Sequence, residues 1–406
     1  MAFEFHFSPA QRLLKRSARD FCRTEIEPFL PADDWSGHGG DSPLHLVKKL
    51  QDQGYFGMPI PREWDGAGMG ETGYCLVFEE IASVDSSIAT IFGAHTGIGL
   101  APLYLFGNEE QRERYVRPIC QGKELAAFAL TEPTAGSDAA SIKTTAVKDG
   151  NDYLISGTKI WCSNGNFADT LVVFAVTDTT LGAHGGVTAF IVEKGAPGLT
   201  VGTIEDKMGI RQSNTAELIF DNVRVPKENI LGNVGEGFIV ALTALDGGRV
   251  GLGAATLGAT KRLLEDCVHR VNTRERYGKP IGKNQSVQWM LADMARDIHL
   301  GEYATYHAAE LTNQYYERIA EGEPVPRSLR EQVSRAAAVV KIHCSEMSGK
   351  HGENAIRIFG GDGLKQRYGV ERAFRDQVIT EIYEGTNEIQ RLIIARELLA
   401  GVGVQL

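Results

Sequence analysis

The spacing of hydrophobic and polar positions changes twice along the chain. Up to residue 124 the apolar residues recur at helical spacing. They predict amphipathic helices around 43–54, 71–84, 87–106 and 108–121, separated by Gly- and Pro-rich turns such as PIPREWDGAGMG. Ser8, Pro9 and Gln11 form a capping-box signature, with proline at the first helical position. Over 125–235 the period switches to two. ELAAFAL, IKTTAVKDGNDYLISG, LVVFAV, VTAFIV and AELIFDNVRV are short β-branched or aromatic runs, and Asp149-Gly150 marks a hairpin between two strands. This pattern predicts a small antiparallel barrel or sandwich. Across 236–406 helical spacing returns, near 236–273, 283–321, 327–351 and 370–400, with EGEPVPRS (321–328) as an interhelical turn. The expected class is α+β: helices over 1–124, strands over 125–235, and a helical bundle over 236–406.

Composition narrows the function. At 406 residues the chain is long enough for two or three cores. A net charge of −10 and no basic run argue against nucleic acid as a partner. The start, MAFEFHFSPAQRLL, has neither the basic nor the apolar region of a signal peptide, and no stretch reads as an unbroken membrane span. Six well-separated cysteines without a CxxC pair read as reduced structural thiols, which predicts a cytoplasmic location.

Several motifs compete for the chemistry. GLGAATLG (251–258) approaches a dinucleotide fingerprint, but its spacing differs from GxGxxG and it sits in a helical pattern, so it reads as a close-packing stripe. His343, Glu346 and His351 match no familiar zinc spacing, and no metal site is predicted. Ser137 and Ser163 lie in glycine-containing loops, neither of them a GxSxG elbow. In IYEGTNEIQR (382–391), Glu384 stands in a glycine-opened turn before a helix, for which Asn387 and Gln390 offer a capping box. FALTEPTAGSD (128–138) follows a predicted strand and presents hydroxyls and backbone N–H groups, while TKIWCSNG offers Trp161 as a cover for an aromatic ring.

Six segments, FALTEPTAGSD, GTKIWCSNG, KMGIRQSNTAELIFDNVRVP, RERYGKPIGKNQ, IFGGDG and IYEGTNEIQR, occur in one order from end to end. In sequence and spacing they resemble the acyl-CoA dehydrogenase family. The resemblance implies a helical domain, an antiparallel β-barrel domain and a four-helix bundle. It also implies FAD, a homotetramer built as a dimer of dimers, an acyl-CoA substrate in fatty- or aromatic-acid degradation, and electron-transfer flavoprotein as oxidant.

Carried over residue by residue, the resemblance places Phe128, Leu130, Thr131, Gly136 and Ser137 along the flavin, covered by Trp161 and Ser163. Arg274, Tyr277, Gln285, Arg357, Gly360, Gly361, Thr386 and Glu388 would complete the FAD site, several of them from a neighbouring subunit. Arg357 stands where the family usually has glutamine. Ser137, Asp246, Arg249, Gly385 and Arg396 match substrate-binding positions. Glu384 aligns with the general base, which removes the α-proton of the thioester while the flavin takes the β-hydride, leaving a trans-2-enoyl-CoA. Other users of the fold are oxidases (longer at the carboxy terminus), monooxygenases lacking the glutamate, and a non-enzymatic assembly factor. Gly248 stands where the isovaleryl and long-chain branches carry their base, and Ala89 near where the glutaryl branch carries arginine. On the helix that in the family lines the far end of the acyl chain, the small residues Ala89, Thr90, Gly93 and Ala94 fit either an acyl pocket wide enough for a branch or ring or close helix packing.

Overall fold

A computed structural model describes residues 5–30 and 42–400. The first helix, α1 (Pro9–Phe21), starts with the expected box: the Gln11 N–H donates to the Ser8 hydroxyl at 3.2 Å, and the Ser8 N–H to the Gln11 side chain at 2.8 Å. Helices α2 (Leu44–Asp52), α3 (Gly70–Ala82), α4 (Ser86–Phe106) and α5 (residues 109–120) follow. Asp85 caps α4 by accepting the Ile88 N–H at 2.8 Å, and α4 widens to a π-helix over Ala94–Leu100.

Eight strands form one sheet: β1 (Ala126–Ala129), β2 (Thr145–Asp149), β3 (Asp152–Ser163), β4 (Thr170–Val176), β5 (Val187–Glu193), β6 (Leu199–Ile204), β7 (Thr215–Pro226) and β8 (Ile230–Leu231). The order is β6-β7-β3-β2-β4-β5-β8, with β1 beside β4. Most pairings are antiparallel, including the β2–β3 hairpin closed by Asp149 and Asp152, but β4 runs parallel to both β1 and β2. One apolar cluster joins strand residues to α4 through Leu100 and Leu103, and a second fills the opposite side around Phe190 and Phe220.

The bundle consists of α6 (Gly237–Thr273), α7 (Gln285–Ala320), α8 (Arg327–Phe359), and a fourth position shared by α9 (Val370–Val378) and α10 (Asn387–Ala400). The helical pattern over 370–400 is therefore interrupted, and the break carries Glu384. Glycines in α6 are packing contacts. A Cβ on Gly251 would fall 2.6 Å from the Tyr74 ring, one on Gly253 2.2 Å from Val340, and one on Gly258 1.9 Å from the Glu79 carbonyl oxygen. The segments Ser86–Phe106 and Gly237–Thr273 are long and apolar enough to cross a bilayer, which the sequence reading did not anticipate. Most of each is buried inside the protein, as in the core helices of a globular fold.

Candidate active site

The turn between α9 and α10 is built around two left-handed residues, Glu384 (φ +59°) and Gly385 (φ +87°). The first is strained for a residue with a side chain. At Gly385 a Cβ would lie 2.7 Å from Gln390 Nε2, so the turn needs glycine for space as well as for φ. The expected cap is displaced by one residue. Thr386 is the N-cap, its hydroxyl accepting the Ile389 N–H at 3.4 Å and its carbonyl the Gln390 N–H at 3.0 Å. Asn387 is buried, and its side-chain oxygen accepts from Lys341 Nζ at 2.7 Å. A buried ammonium demands a partner, and this demand outweighs capping. Gln390 donates instead to the carbonyls of Glu384 (3.3 Å) and Gly385 (3.0 Å).

Glu384 is thus held by its backbone. Arg249 Nε also donates to the Glu384 carbonyl at 3.0 Å, while Arg249 Nη1 pairs with Asp246 at 2.7 Å. Asp246 and Arg249, expected at the CoA moiety, are both buried, and the structure uses them to lock the turn that carries Glu384. The carboxylate end has no such partner: Glu384 Oε2 is enclosed without a hydrogen bond among the described residues. It rests against α6, where a Cβ on Gly248 would lie 2.5 Å from Oε2 and 2.8 Å from Ile98. Burial pushes the Glu384 carboxyl up to about 7, against the opposing pull of Arg249 and Lys341.

The wide acyl pocket is not found. A Cβ on Gly93 would sit 2.4 Å from the tip of the Phe78 ring, and one on Gly97 2.7 Å from the Tyr74 hydroxyl. Aromatic side chains from α3 occupy the space that the small residues of α4 leave. Gly93→Leu is accordingly expected to lower the melting temperature, by the ~1–3 kcal/mol typical of overpacking, and to impair straight and ring-bearing thioesters alike. Thermal melts and kcat/KM for both thioester classes check this.

A second group of residues gathers where β1 meets β3. The Ile160 N–H donates to the Thr131 carbonyl at 2.9 Å, and Cys162 Sγ lies 3.3 Å from the Phe128 carbonyl. Buried Lys159 bridges the Leu130 carbonyl (3.0 Å) and the Glu132 carboxylate (2.7 Å), and Glu132 also accepts the N–H groups of Lys143 and Thr144. This clamp fixes the loop that carries Gly136 and Ser137 at the surface. The Leu130 side chain belongs to the core, which leaves only its backbone for a ligand. Trp161 sits at a β-bulge with φ +58°, its indole 54% exposed, and Ser163 lies nearby, half-buried. A rigid loop of hydroxyls beside an outward-turned indole fits a flat, polar-edged ring such as isoalloxazine.

The third group rides on one end of the bundle. Val271, Met294, Ala355 and Phe359 pack the end of α6 against α7 and α8, and Arg270 pairs with Asp362 across them at 2.5 Å. Arg274, Tyr277, Gln285, Arg357, Gly360 and Gly361 all extend from this end. Tyr277 is fully exposed, and a Cβ on Gly360 or Gly361 would meet nothing within 4 Å. Arg357, the departure from the family pattern, is exposed and paired with Glu353 one turn earlier. Thr386 and exposed Glu388 begin α10. Arg396 is exposed ten residues past Thr386, ~15 Å along the helix axis, and is not gathered with Glu384.

Acyl-CoA dehydrogenase N-terminal, middle and C-terminal domain models match residues 8–123, 127–223 and 235–399. An acyl-CoA dehydrogenase of Bacillus subtilis (strain 168) is 41% identical over 98% of this chain and 100% of its own length. The chain belongs to the acyl-CoA dehydrogenase family. It is accordingly an oxidoreductase with FAD as cofactor, and the clamp loop and outward-turned indole fit that group. Butyryl-CoA dehydrogenase from Megasphaera elsdenii superposes with a TM-score of 0.89 at 37% identity, covering 98% of this chain and 100% of that one. A chain from a study of the electron transferring flavoprotein of Acidaminococcus fermentans and flavin-based electron bifurcation superposes with a TM-score of 0.90 at 40% identity, with the same coverage. Two residues that bear on this acyl-CoA dehydrogenase site are not singled out in the sequence: Lys341, whose charge acts on the Glu384 carboxyl, and Ile98, which lies beside Gly248; Gln390 reads there only as a capping partner. Neither Lys341 nor Ile98 lies in a local pattern with Glu384.

Proposed function

We propose that this acyl-CoA dehydrogenase oxidises short, straight-chain acyl-CoA thioesters to trans-2-enoyl-CoA, with Glu384 as general base. The observation that carries the reading is the Glu384 carboxylate itself: its backbone is locked from two sides, its Oε2 is enclosed without a partner, and its pKa lies near 7. A carboxylate in that condition takes up a proton readily at neutral pH. The Glu384 N–H and the open turn at Gly385 orient the thioester carbonyl, and Phe78 and Tyr74 shorten the acyl path. FAD, when bound, supplies the two-electron acceptor for the β-hydride. Trp161 and Ser163 would cover its ring, with Phe128 and Thr131 alongside. The likeness to butyryl-CoA dehydrogenase supports a four-carbon substrate. Electron-transfer flavoprotein is the proposed oxidant, supported by the second structural likeness. A cytoplasmic homotetramer is the proposed form, and the six buried free thiols fit a reducing compartment.

Anaerobic addition of butyryl-CoA to the yellow holoenzyme tests the reading: the flavin absorbance bleaches within turnover time. If butyryl-CoA leaves it unreduced while other thioesters bleach it, the substrate assignment fails but the dehydrogenase reading stands. The reduction rate is also expected to depend on pH with a definite sign. The active form is the carboxylate, so the rate rises through about pH 7 and levels off above it, given the Glu384 pKa of about 7. A rate that falls across this window would contradict the base assignment.

Arg274 extends from the bundle end, where a guanidinium suits a pyrophosphate. Arg274→Ala is expected to release FAD and lower the melting temperature, with recovery on added FAD as ligand linkage requires. Equal FAD retention by variant and wild type in gel filtration would remove Arg274 from the site.

A further inference from the structure

Apart from the Glu384 site, the chain encloses a cavity of about 350 Å³ between the loop at 59–70, α4 and the end of α7. Pro59, Ile60, Ala101 and Leu105 give it apolar walls, and exposed Arg62, Gly68 and Glu317 stand at its mouth. Its inner end is different. Glu71 Oε1 and the Tyr74 hydroxyl are enclosed there, each without a hydrogen-bond partner among the described residues, in side chains that are 5% and 1% exposed. Buried polar atoms are nearly always partnered, so two orphans on one cavity wall point to a guest.

The neighbouring groups specify the guest's chemistry. The Asn313 side chain accepts the Glu71 N–H at 2.5 Å and donates to the Thr72 hydroxyl at 3.1 Å. The Tyr316 hydroxyl donates to the Thr243 carbonyl at 3.1 Å. Those groups are engaged, while Glu71 Oε1 still offers lone pairs and the Tyr74 hydroxyl offers both a donor and lone pairs. No cation pairs with Glu71 among the described residues, and burial pushes its carboxyl up to about 8. We propose that the cavity binds a small primary ammonium with a short alkyl body, its N–H groups meeting Glu71 Oε1 and the hydroxyl oxygens of Tyr74 and Tyr316. The alkyl part lies against Ile60, Ala101 and Leu105. A carboxylate guest would face Glu71, and an alcohol would supply only one donor. Tyr74 also forms the wall toward the base, because its hydroxyl lies against Gly97, which in turn faces Gly248.

Calorimetric titration of the FAD-loaded enzyme at pH 7 tests this, using n-butylammonium chloride, 1-butanol and sodium butyrate in two buffers of different ionisation enthalpy. The titratable groups facing the cavity are Glu71, Tyr74, Tyr104, Tyr316, Arg62 and Glu317. Pairing with the ammonium drives ionisation of the protonated Glu71, so binding releases a proton. The expected result is one butylammonium per chain, at least tenfold tighter than butanol, with net proton release and no saturable butyrate binding. Glu71→Gln should weaken the amine at least tenfold and abolish proton release, while flavin reduction by butyryl-CoA is unchanged. Non-saturable amine binding, equal affinity for butanol, preference for butyrate, or binding without proton release overturns the proposal. These wild-type comparisons decide it even if the variant does not fold.

Discussion

Replacing Glu384 by glutamine is expected to leave a yellow, assembled enzyme whose flavin is hardly reduced by any acyl-CoA. The amide keeps the size of the side chain but cannot take the α-proton, and loss of a general base typically costs about 10²–10⁴-fold. The contacts that hold the turn survive the change, since Arg249 and Gln390 bind the carbonyls of Glu384 and Gly385, and Thr386 caps the helix. Stopped-flow reduction should therefore collapse while the FAD content and its spectrum remain. A second readout separates this from general damage. The folded pKa of Glu384, about 7, lies above that of a free carboxylate, so the folded state binds the proton more tightly than the unfolded chain. Its contribution to stability is full below the unfolded value and is lost as pH rises toward 7. The glutamine variant carries no charge to bury, and at pH 8 it should melt higher than wild type. Near wild-type reduction rates would remove Glu384 from the chemistry. A lower melting temperature at pH 8 would mean that the carboxylate is better solvated than the structure shows.

The parts of this molecule that announce themselves in sequence are those set by local periodicity. The switch from helical to alternating spacing near residue 125 and back near 236 follows the observed run of helices, strands and helices. The capping box at Ser8 and the hairpin at Asp149-Gly150 need only a few adjacent residues, and both form as read. Glu384 was singled out by the resemblance of IYEGTNEIQR to the family's motif, because its local pattern alone describes a loop acid before a helix. The contacts that hold it were not legible. Arg249 lies 135 residues from the carbonyl it holds, and Lys341 lies 46 residues from Asn387, distances in sequence that no local pattern spans.

The small residues of α4 show the same limit from the other side. Gly93 and Gly97 look like volume left for a substrate, yet Phe78 and Tyr74 from α3 occupy it. Whether a glycine opens a pocket or admits a neighbour depends on the facing element, which is set by tertiary packing. Asn387 illustrates competition between roles. Its capping propensity is real, but an uncompensated buried lysine is costlier than a cap supplied one residue earlier by Thr386.

Gly248→Ala follows from this geometry and is expected to have the second-largest effect. A methyl group there would lie 2.5 Å and 2.9 Å from the two carboxylate oxygens of Glu384, and 2.8 Å from Ile98. The α6 backbone is fixed within the bundle, whereas the carboxylate is the free end of a flexible side chain, so Glu384 moves. Folding should tolerate the change, because alanine is favoured over glycine in a helix interior by about 0.8–1.0 kcal/mol, which offsets part of the crowding. Catalysis should not tolerate it. Misplacing a catalytic group by about 1 Å can cost on the order of 10²-fold. The expected result is a stable, FAD-loaded enzyme with kcat for butyryl-CoA reduced ~10²-fold. Combining it with Glu384→Asp distinguishes displacement from a general packing defect. The aspartate carboxylate is one methylene shorter and withdraws from the methyl, so Gly248→Ala should cost much less in that background than in wild type. Such coupling is expected only of groups in direct contact. If the two losses simply add, Gly248 serves helix packing alone and does not seat the Glu384 carboxylate.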